Sequence, residues 1–326
     1  MQALRVQALA PDYAGCALVD LPVPAPSPGE ALIRVRAAAL NFPDLLMTRG
    51  EYQLKPPLPF VPGMEAAGEV VAAPEGSGFA IGDRVVAGTR LGAFAEHVAV
   101  PLVNLRALPD AISFETAAAF GSAYLTAYVA LVQLGHLQPG QWVLVHGAAG
   151  GVGLAAVDLA QALGARVIAA SASPAKLEVV EREYAPAATL IAEGRFREAV
   201  AAATGGELAD LVYDPLGGDV FDESTRCVAF GGKLLAVGFT SGRIPEVSVN
   251  IPLIKGFSIV GVRAGEYSRR FPTRGAAIRD ETLRLLAEGR IRPRVDRVLP
   301  LSRWREGFAA MANRDVVGKV VFVPGN

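Results

Sequence analysis

Residues 142–171 read WVLVHGAAGGVGLAAVDLAQALGARVIAAS, and this stretch decides the fold that the sequence predicts. Its apolar run at 142–146 is typical of a buried parallel strand, and a glycine cluster follows at 147–153. The segment after the glycines has apolar residues at helical spacing: Val152, Ala156, Leu159 and Leu163. A second apolar run at 166–170 completes a strand–helix–strand unit of the roughly 30 residues that such a unit needs.

The glycines of this turn point to a bound dinucleotide. Gly150 lets the backbone approach a pyrophosphate, and Gly153 lets the helix pack closely on the strand. The fingerprint is imperfect, because Ala148 stands where the first glycine of G-x-G-x-x-G would be. A merely structural turn is the alternative, but a turn between strand and helix favours a dinucleotide, whose phosphates would meet the helix N-terminus. We therefore assign cofactor contacts to four residues: Ala148, Gly150, Gly151 and Val152.

The end of the second strand favours NADPH over NADH. An NAD site usually has Asp or Glu there, about 20 residues past the glycines, to accept from the ribose hydroxyls. Here Ser171 holds that place, and Ser173 and Lys176 follow. Two hydroxyls and an ammonium can hold a 2′-phosphate, and no carboxylate repels it. Ser173 before Pro174 is also a good helix N-cap signal, and the two roles are compatible.

Length and composition are those expected of a soluble enzyme. A chain of 326 residues should form two domains, and its net charge of −1 leaves no basic excess for nucleic acid. Cys16 and Cys227 are too few for a disulfide framework or a thiolate zinc site. We find no N-terminal signal pattern and no run of about 18 apolar residues, so we expect a cytoplasmic protein without a membrane segment.

The chain is organised in three parts. Residues 1–119 predict short strands separated by turns, and hence a β-rich domain. Residues 120–260 alternate strands and helices, as a doubly wound parallel sheet requires. The tail, 261–326, should return to the first domain with a helix at 281–288 and a closing strand, KVVFV. The strands of the parallel sheet are predicted at 142–146, 166–170, 188–191, 210–214, 233–237 and 258–262.

This arrangement resembles the medium-chain dehydrogenase/reductase superfamily, and within it the quinone oxidoreductase-like subgroup of the zinc-independent NADPH:quinone oxidoreductases. The segments that carry the resemblance are NFPDLLMTRGEYQLKPPLPFVPGMEAAGEV (41–70), HGAAGGVG (146–153), DLVYDPLGGDVF (210–221), GGKLLAVGF (231–239), IPLIKGFSIVG (251–261) and GKVVF (318–322). The resemblance implies an α/β protein with a β-rich GroES-like catalytic domain and a Rossmann domain. It also implies NADPH, no metal, a homodimer, and quinones or other α,β-unsaturated carbonyls as substrates.

The positions that hold zinc in the zinc-dependent branch of this superfamily lack ligands here. They match Asn41, Met64 and about Ser122, none of which is a good zinc ligand. Glu65 remains, but a lone carboxylate does not make a metal site, and the expected four-cysteine lobe is missing. We therefore predict no metal. We expect His97 to be a satisfied structural residue, His136 to lie on the surface at a helix end, and His146 to have a packing role.

Hydride transfer needs geometry and a polarised acceptor rather than a covalent protein intermediate. The acceptor oxygen gains charge, so a hydrogen-bond donor beside it helps. By family position, the resemblance implies Asn41 and Tyr52 as these catalytic donors. Each has a structural alternative: Tyr52 can pack over KPPLPF (55–60), and Asn41 can hold a loop through backbone hydrogen bonds. Asp44 matches an acidic family position and is expected to be a structural anchor.

Further contacts follow from the resemblance. Thr126 matches a position that meets the nicotinamide amide or phosphate in relatives. Backbone contacts are expected after the fifth strand, at Gly238, Phe239 and Thr240. Arg263 stands where relatives usually carry an aromatic residue near the nicotinamide. It belongs either to a solvated basic face or to a wider substrate pocket suited to an anionic acceptor, such as an enoyl thioester of CoA.

The function that these features predict is an NADPH-dependent, metal-free reductase of quinones or other α,β-unsaturated carbonyls. An enoyl-thioester or 2-alkenal reductase with the same hydride chemistry is the alternative. A non-enzymatic NADPH-binding protein is disfavoured, because the chain lacks a basic patch interleaved with aromatic residues. The sixth strand of the sheet has neither proline nor charge to protect its edge, and relatives pair it across a two-fold axis. We therefore expect a homodimer through this strand.

Overall fold

Short apolar runs separated by turns give the first part of the chain its antiparallel strands. In the longest strand the exposed Arg34 and Arg36 alternate with the buried Ile33, Val35 and Ala37, so one face lies on the core. The elements are β1 (Gln2–Val6), β2 (Cys16–Asp20), β3 (Glu30–Ala39), α1 (Phe42–Arg49), β4 (Glu65–Ala72), β5 (Arg84–Gly88), β6 (His97–Pro101) and β7 (Leu105–Ala107). Strands β1 and β2 form a separate pair, and β6 pairs with β3.

The short helix α1 is fixed at both ends. Asn41 is its N-cap residue, and the carboxylate of Asp44 in the first turn accepts the Asn41 backbone N–H at 2.9 Å. The helix ends at Gly50, whose φ of 73° is in the left-handed region that favours glycine. These ends place Asn41 firmly at the junction of β3 and α1.

The middle of the chain forms the doubly wound sheet that the sequence predicts. Its elements are α2 (Phe114–Tyr128), β8 (Trp142–His146), α3 (Gly151–Ala162), β9 (Arg166–Ser171), α4 (Pro174–Tyr184), β10 (Ala188–Ile191), α5 (Arg197–Ala203), β11 (Ala209–Asp214), α6 (Gly218–Ser224), β12 (Val228–Ala236), α7 (Asn250–Lys255) and β13 (Ser258–Gly261). The six strands are parallel in the order β10-β9-β8-β11-β12-β13. Strand β8 is buried along its whole length, because helices cover both faces of such a sheet.

Two helices of the tail remain with this sheet: α8 (Ala264–Arg270) and α9 (Pro272–Ala287). Ala264 and Ile278 pack on Val129, in the π-helical segment Val129–Leu134 that continues α2. The expected helix at 281–288 is therefore the end of a longer one. This packing keeps the chain in the same unit beyond residue 261, where the last strand of the sheet ends.

The chain then returns to the first sheet through β14 (Val295–Pro300), α10 (Trp304–Ala312) and β15 (Lys319–Val323). Strand β15 lies between β14 and β3, and the sheet order is β14-β15-β3-β4-β5-β7. The rings of Phe308 and Phe322 meet those of Phe94 and Trp304 in the core. A Cβ on Gly307 would lie 2.6 Å from the Phe322 ring, so this close packing requires glycine.

This computed structural model describes residues 1–325, and its chain divides into two units. Unit 1 comprises Met1–Ser122 and the chain from Pro293 onward, and unit 2 comprises Ala123–Arg292. The sequence placed these boundaries at residues 119 and 260. The second differs because α8 and α9 pack within unit 2.

The segment Phe114–Leu134 is the one described helix with the length and apolar composition to cross a membrane. In its most apolar stretch of 18 residues, 56% is buried in the protein.

Candidate active site

The glycine loop of unit 2 has the shape of a pyrophosphate cradle. Gly150 is the N-cap of α3, and Leu154 donates its N–H to the Gly150 carbonyl at 2.8 Å. The amides of Gly151 and Val152 precede this bond, so they have no acceptor within the helix. A Cβ on Gly153 would lie 2.1 Å from the carbonyl oxygen of Gly147, so only glycine lets α3 approach the loop. The loop therefore fits a dinucleotide phosphate group.

Ala148 has a different place in the loop from its neighbours. It is fully buried, and its N–H donates to the carbonyl of Ala170 at 3.0 Å. That amide is therefore occupied by the sheet, and Ala148 fixes the loop to β9. The predicted cofactor contact of Ala148 can therefore come only from atoms other than its backbone N–H.

The carboxyl end of β9 brings three predicted residues into one turn. Ser171 is the last residue of β9, and its Oγ accepts the Ser173 N–H at 3.2 Å. Ser173 is the N-cap residue of α4, although its side chain makes no capping hydrogen bond, and Lys176 lies in the first turn. That turn contains no acidic residue. The donor set is therefore compatible with a 2′-phosphate, as the sequence predicts.

The loops after β11 and β12 are joined at the same edge of the sheet. The backbone N–H and the Oγ1 of Thr240 both donate to the Pro215 carbonyl, at 3.2 and 3.1 Å. Gly238 lies against the same carbonyl group, since a Cβ on Gly238 would be 3.1 Å from the Pro215 oxygen. Phe239 is 44% exposed at this edge, and Thr126 lies half-buried on α2. The glycine loop, the Ser171 turn and Gly238–Thr240 thus follow β8, β9 and β12, whose carboxyl ends share one edge of the parallel sheet.

Unit 1 contains a buried ionic cluster, which we call the Lys319 cluster: Asn41, Glu65, Ser122 and Lys319. The Lys319 Nζ donates to the Glu65 Oε1 at 2.9 Å and to the Asn41 Oδ1 at 2.7 Å. The Asn41 Nδ2 donates to the same Glu65 oxygen at 2.8 Å, and the Ser122 backbone N–H donates to the Glu65 Oε2 at 2.7 Å. The cluster unites the starts of α1, β4 and β15 with α2.

The electrostatics of this cluster extend to a second carboxyl group. Asp44 is fully buried and accepts the backbone N–H groups of Asn41 and Gly63, at 2.9 and 3.0 Å. Burial raises the pKa of Asp44 to about 7, although these hydrogen bonds and the Lys319 charge act in the other direction. Asp44 therefore anchors the start of α1, which is the role expected from the sequence.

Sequence reasoning missed Lys319 and treated Glu65 as isolated. Lys319 opens the apolar strand KVVFV, and a lysine that is only 5% exposed must have an anionic partner. A lysine at the start of an apolar strand is therefore the sequence feature that could have indicated a buried ion pair. It could not name Glu65, which lies 254 residues away in the chain.

Tyr52 lies between α1 and β4, half-buried, and packs against the apolar core of unit 1. This position agrees with its structural alternative and leaves its catalytic role a prediction. Arg263 is exposed at the start of α8, while Arg269 and Arg270 both pair with Glu266, at 2.7 and 2.9 Å. The basic run is thus partly a solvated, ion-paired face, and Arg263 has no ion pair within 4.0 Å among residues 1–325.

His146 is a buried neutral group beside the glycine loop. Its Nε2 lies 2.8 Å from the Ser224 Oγ, which itself donates to the Val220 carbonyl at 2.7 Å. The hydroxyl proton is therefore used, so Nε2–H is the donor to Ser224. The His146 Nδ1 is left as a buried acceptor with no partner in the described chain, and burial lowers the pKa of His146 to about 3. The group is structural.

The other two histidines do not form a metal centre with it. His97 begins β6, and its buried Nδ1 also has no partner in the described part of the chain, so it is not fully satisfied there. His136 is exposed with a left-handed φ of 57°. No group of three or more His, Cys, Asp or Glu side chains that could hold a metal occurs within residues 1–325.

Comparisons with known proteins agree with this geometry. The family model for the alcohol dehydrogenase GroES-like domain matches residues 27–110, and that for zinc-binding dehydrogenase matches residues 151–278. The chain is 39% identical over 294 residues to a quinone oxidoreductase-like protein 2 homolog of Nematostella vectensis, covering 89% of this chain and 80% of that protein.

Solved structures are similar over almost the whole chain. A probable oxidoreductase from Mycobacterium abscessus has a TM-score of 0.90 and 38% identity, with 99% of each chain covered. The Escherichia coli quinone oxidoreductase complexed with NADPH has a TM-score of 0.89 and 29% identity, with 99% of this chain and 100% of that chain covered.

Proposed function

The chain belongs to the quinone oxidoreductase-like family of medium-chain dehydrogenases/reductases, and from this we propose that it reduces quinones or other α,β-unsaturated carbonyls with NADPH and without a metal. The observation that carries the proposal is the edge of the unit 2 sheet. There a phosphate cradle lies beside Ser171, Ser173 and Lys176, with no acidic residue in the first turn of α4.

NADPH supplies the hydride when it is bound. The amides of Gly151 and Val152 would bind its pyrophosphate, and the β9 end would bind the 2′-phosphate through two hydroxyls and an ammonium. We assign the backbone of Gly238–Thr240 and the side chain of Thr126 to the nicotinamide half. The hydride would add to a carbon of the acceptor and leave NADP⁺, the electron pair would move onto the carbonyl oxygen, and the resulting enolate would take a proton from water.

The residues assigned to the acceptor oxygen are Asn41 and Tyr52, which can donate hydrogen bonds to its developing charge. The support for a metal-free reaction is the Lys319 cluster. Asn41 and Ser122, which match ligand positions of the zinc-dependent branch, are both hydrogen-bonded to Glu65. The Lys319 ammonium already supplies positive charge there. Met64 is a thioether that packs against the unit 1 core.

An enoyl-thioester reductase is the second candidate, and the exposure of Arg263 favours it. A guanidinium without an ion pair in the described chain can attract the phosphates of a CoA ester. Acceptor selectivity decides between the two candidates.

The experiment is NADPH oxidation by the purified protein with benzoquinone, a 2-alkenal and crotonyl-CoA, each with and without a strong chelator. We expect turnover with at least one acceptor, and no change on chelation. Faster turnover of crotonyl-CoA, lost in Arg263→Ala at low salt, would favour the second candidate. No oxidation with any acceptor would contradict the proposed function, and chelator-sensitive turnover would contradict its metal-free form.

We also propose that the protein is a homodimer through β13. This strand is an edge of the sheet, pairing with β12 alone within the described chain. An apolar patch adjoins it, formed by Phe230, Val249, Leu253 and Ile254, which are 75–87% exposed. The Phe230 ring lies over Gly256, next to the start of β13, so the patch and the strand edge are continuous. Both would be covered by a second copy.

Light scattering on a size-exclusion column tests the assembly. We expect a dimer at micromolar concentration, and a monomer for Leu253→Glu, whose side chain is exposed enough to change without disturbing the fold. Ile81→Glu is the matched control, since Ile81 is 78% exposed in unit 1. A monomeric unmodified protein would contradict the proposal.

A further inference from the structure

The proposed reaction uses Asn41 but leaves Glu65 and Lys319 without a role. Both are buried, at 2% and 5% exposure, and they form an ion pair at 2.9 Å. Burying an ion pair costs about as much free energy as its attraction returns, so stability alone is a weak reason for it. An apolar pair would fill the same space beside the buried Val320 and Val321. The charges therefore call for another explanation.

The two charges fix the orientation of the Asn41 amide. An ammonium can only donate, so it must face the amide oxygen, as Lys319 does at 2.7 Å. A carboxylate can only accept, so it must face the amide nitrogen, as Glu65 does at 2.8 Å. A flipped amide would set donor against donor and acceptor against acceptor. The Ser122 N–H at 2.7 Å holds the other Glu65 oxygen, so the carboxylate has no free orientation.

One N–H of the oriented amide is only weakly engaged. Its contact is the Ala39 carbonyl at 3.4 Å, which is beyond the usual 2.7–3.2 Å range for N–H···O bonds. Asn41 also retains 6% of its surface. The amide thus keeps one N–H in a long hydrogen bond to a backbone carbonyl, which an acceptor oxygen can replace.

We propose that Lys319 and Glu65 are positioning residues, which hold the Asn41 amide in the one orientation that leaves an N–H for the acceptor carbonyl oxygen. This inference rests on the proposed function. Lys319 and Glu65 act through Asn41 and do not touch the acceptor. Fixing the donor before the reaction matters, because a donor that must first reorient gives less stabilisation to the developing charge.

A double-mutant cycle between Asn41→Ala and Lys319→Met tests the proposal. We expect Asn41→Ala to lower kcat about 100-fold, as for the loss of one oxyanion donor. Lys319→Met should lower kcat about 10-fold, because it removes one of the two charges that hold the amide in place. The double variant should have the kcat of Asn41→Ala alone, because Lys319 acts only through that amide. The NADPH dissociation constant, measured by fluorescence, should stay within about threefold throughout.

Lys319→Met leaves a buried carboxylate unpaired and can unfold the protein. The paired variant Glu65→Gln with Lys319→Met removes both charges and should show the same loss of kcat in a folded protein. Lys233→Met is the matched control for losing a structural lysine. Its Nζ donates to the Leu134 and Gly135 carbonyls at 3.0 and 3.1 Å, so this change should lower the melting temperature and leave kcat unchanged.

Three results would overturn the inference while the proposed function stands: wild-type kcat in Lys319→Met, wild-type kcat in the paired variant, or multiplicative losses in the cycle. A wild-type protein that reduces none of the acceptors would overturn the proposed function, and this inference with it. The two failures are therefore distinguishable.

Discussion

In unit 1 the buried polar centre is made of ionised side chains, whereas in unit 2 it is made of backbone amides and glycines. The Lys319 cluster satisfies every oxygen of Glu65 with a donor. The glycine loop instead depends on the absence of a Cβ at Gly153, and the neighbouring His146 is neutral with one nitrogen unpaired. Charges can specify the orientation of one amide, while bare backbone can approach a phosphate closely. The two units should therefore fail under different kinds of substitution.

The largest effect should come from adding one methyl group to the unit 2 loop. Gly153→Ala would place its Cβ 2.1 Å from a backbone oxygen, so the loop must move away from its phosphate-binding shape. We expect NADPH affinity to fall about 100-fold, or about 2.7 kcal/mol, in a fluorescence titration. Gly88→Ala is the control, since its Cβ would meet nothing within 4 Å. Affinity within threefold of wild type for Gly153→Ala would mean that the backbone geometry is not decisive.

A smaller effect should follow from removing a side chain in the same unit. Lys176→Ala loses one charge-assisted contact, worth roughly 1.5–3 kcal/mol, to the 2′-phosphate that NADPH has and NADH lacks. We expect NADPH affinity to fall roughly 10- to 100-fold with NADH affinity nearly unchanged. Arg182→Ala removes a cation from the last turn of the same helix and should leave the ratio of the two affinities unchanged. Equal losses for both cofactors would contradict the assignment of Lys176.

The smallest effect is a difference in the sign of the pH dependence of stability. Burial lowers the pKa of His146 to about 3 in the folded protein, below its ordinary value of about 6.5. As the pH falls, the unfolded chain therefore binds the proton first, and the free energy of unfolding decreases below about pH 6.5. The pKa of Asp44 is raised to about 7, so its folded form binds a proton first, and stability is lost as pH rises from about 4 through 7. Between about pH 4 and 6.5 the two contributions offset each other.

Each unit has one tryptophan with which to measure this: Trp304 in unit 1 and Trp142 in unit 2. In the Trp304→Phe background, we compare the free energy of unfolding in urea of the His146→Gln variant with that of its parent. The variant should gain about 1.4 kcal/mol on its parent when the pH is lowered from 8 to 5.5. In the Trp142→Phe background, the free energy of unfolding of the Asp44→Asn variant should fall by about 2 kcal/mol relative to its parent when the pH is lowered from 8 to 5.5. Changes of the same sign in the two units would contradict the contrast between them.

The parts of the structure that local patterns specify could be predicted from the sequence. Apolar runs bounded by turns gave β10 its observed ends, and the glycine spacing gave the loop before α3. The start of β12 was placed too late, because Phe230, Gly231 and Gly232 interrupt the apolar pattern although the strand runs through them. The start of α9 was also placed too late, since its first turn, Pro-Thr-Arg-Gly, carries no apolar pattern and the contacts of Ile278 come from another helix.

The candidate site was predictable only where its residues are neighbours in the chain. Ser171, Ser173 and Lys176 share one strand end and one helix start. The partners in the Lys319 cluster are 278 and 254 residues apart, so no spacing rule connects them. Their pairing follows from β15 lying beside β3, which is a property of the folded sheet. The sequence could say that Lys319 needs an anion, and only the topology says which one.

The position of β15 in the unit 1 sheet also has a consequence for how the protein is made. Unit 2 is continuous from Ala123 to Arg292, so a ribosome finishes it while the strand that separates β14 from β3 is still unmade. A growing chain can therefore fold unit 2 first. Until the later segment emerges, the early part of unit 1 contains Glu65 without the Lys319 ammonium that pairs with it. Truncation before Lys319, which removes eight residues of the sequence, would remove an internal strand and the balancing ammonium together. A strand translated after unit 2 completes the domain that was begun before it.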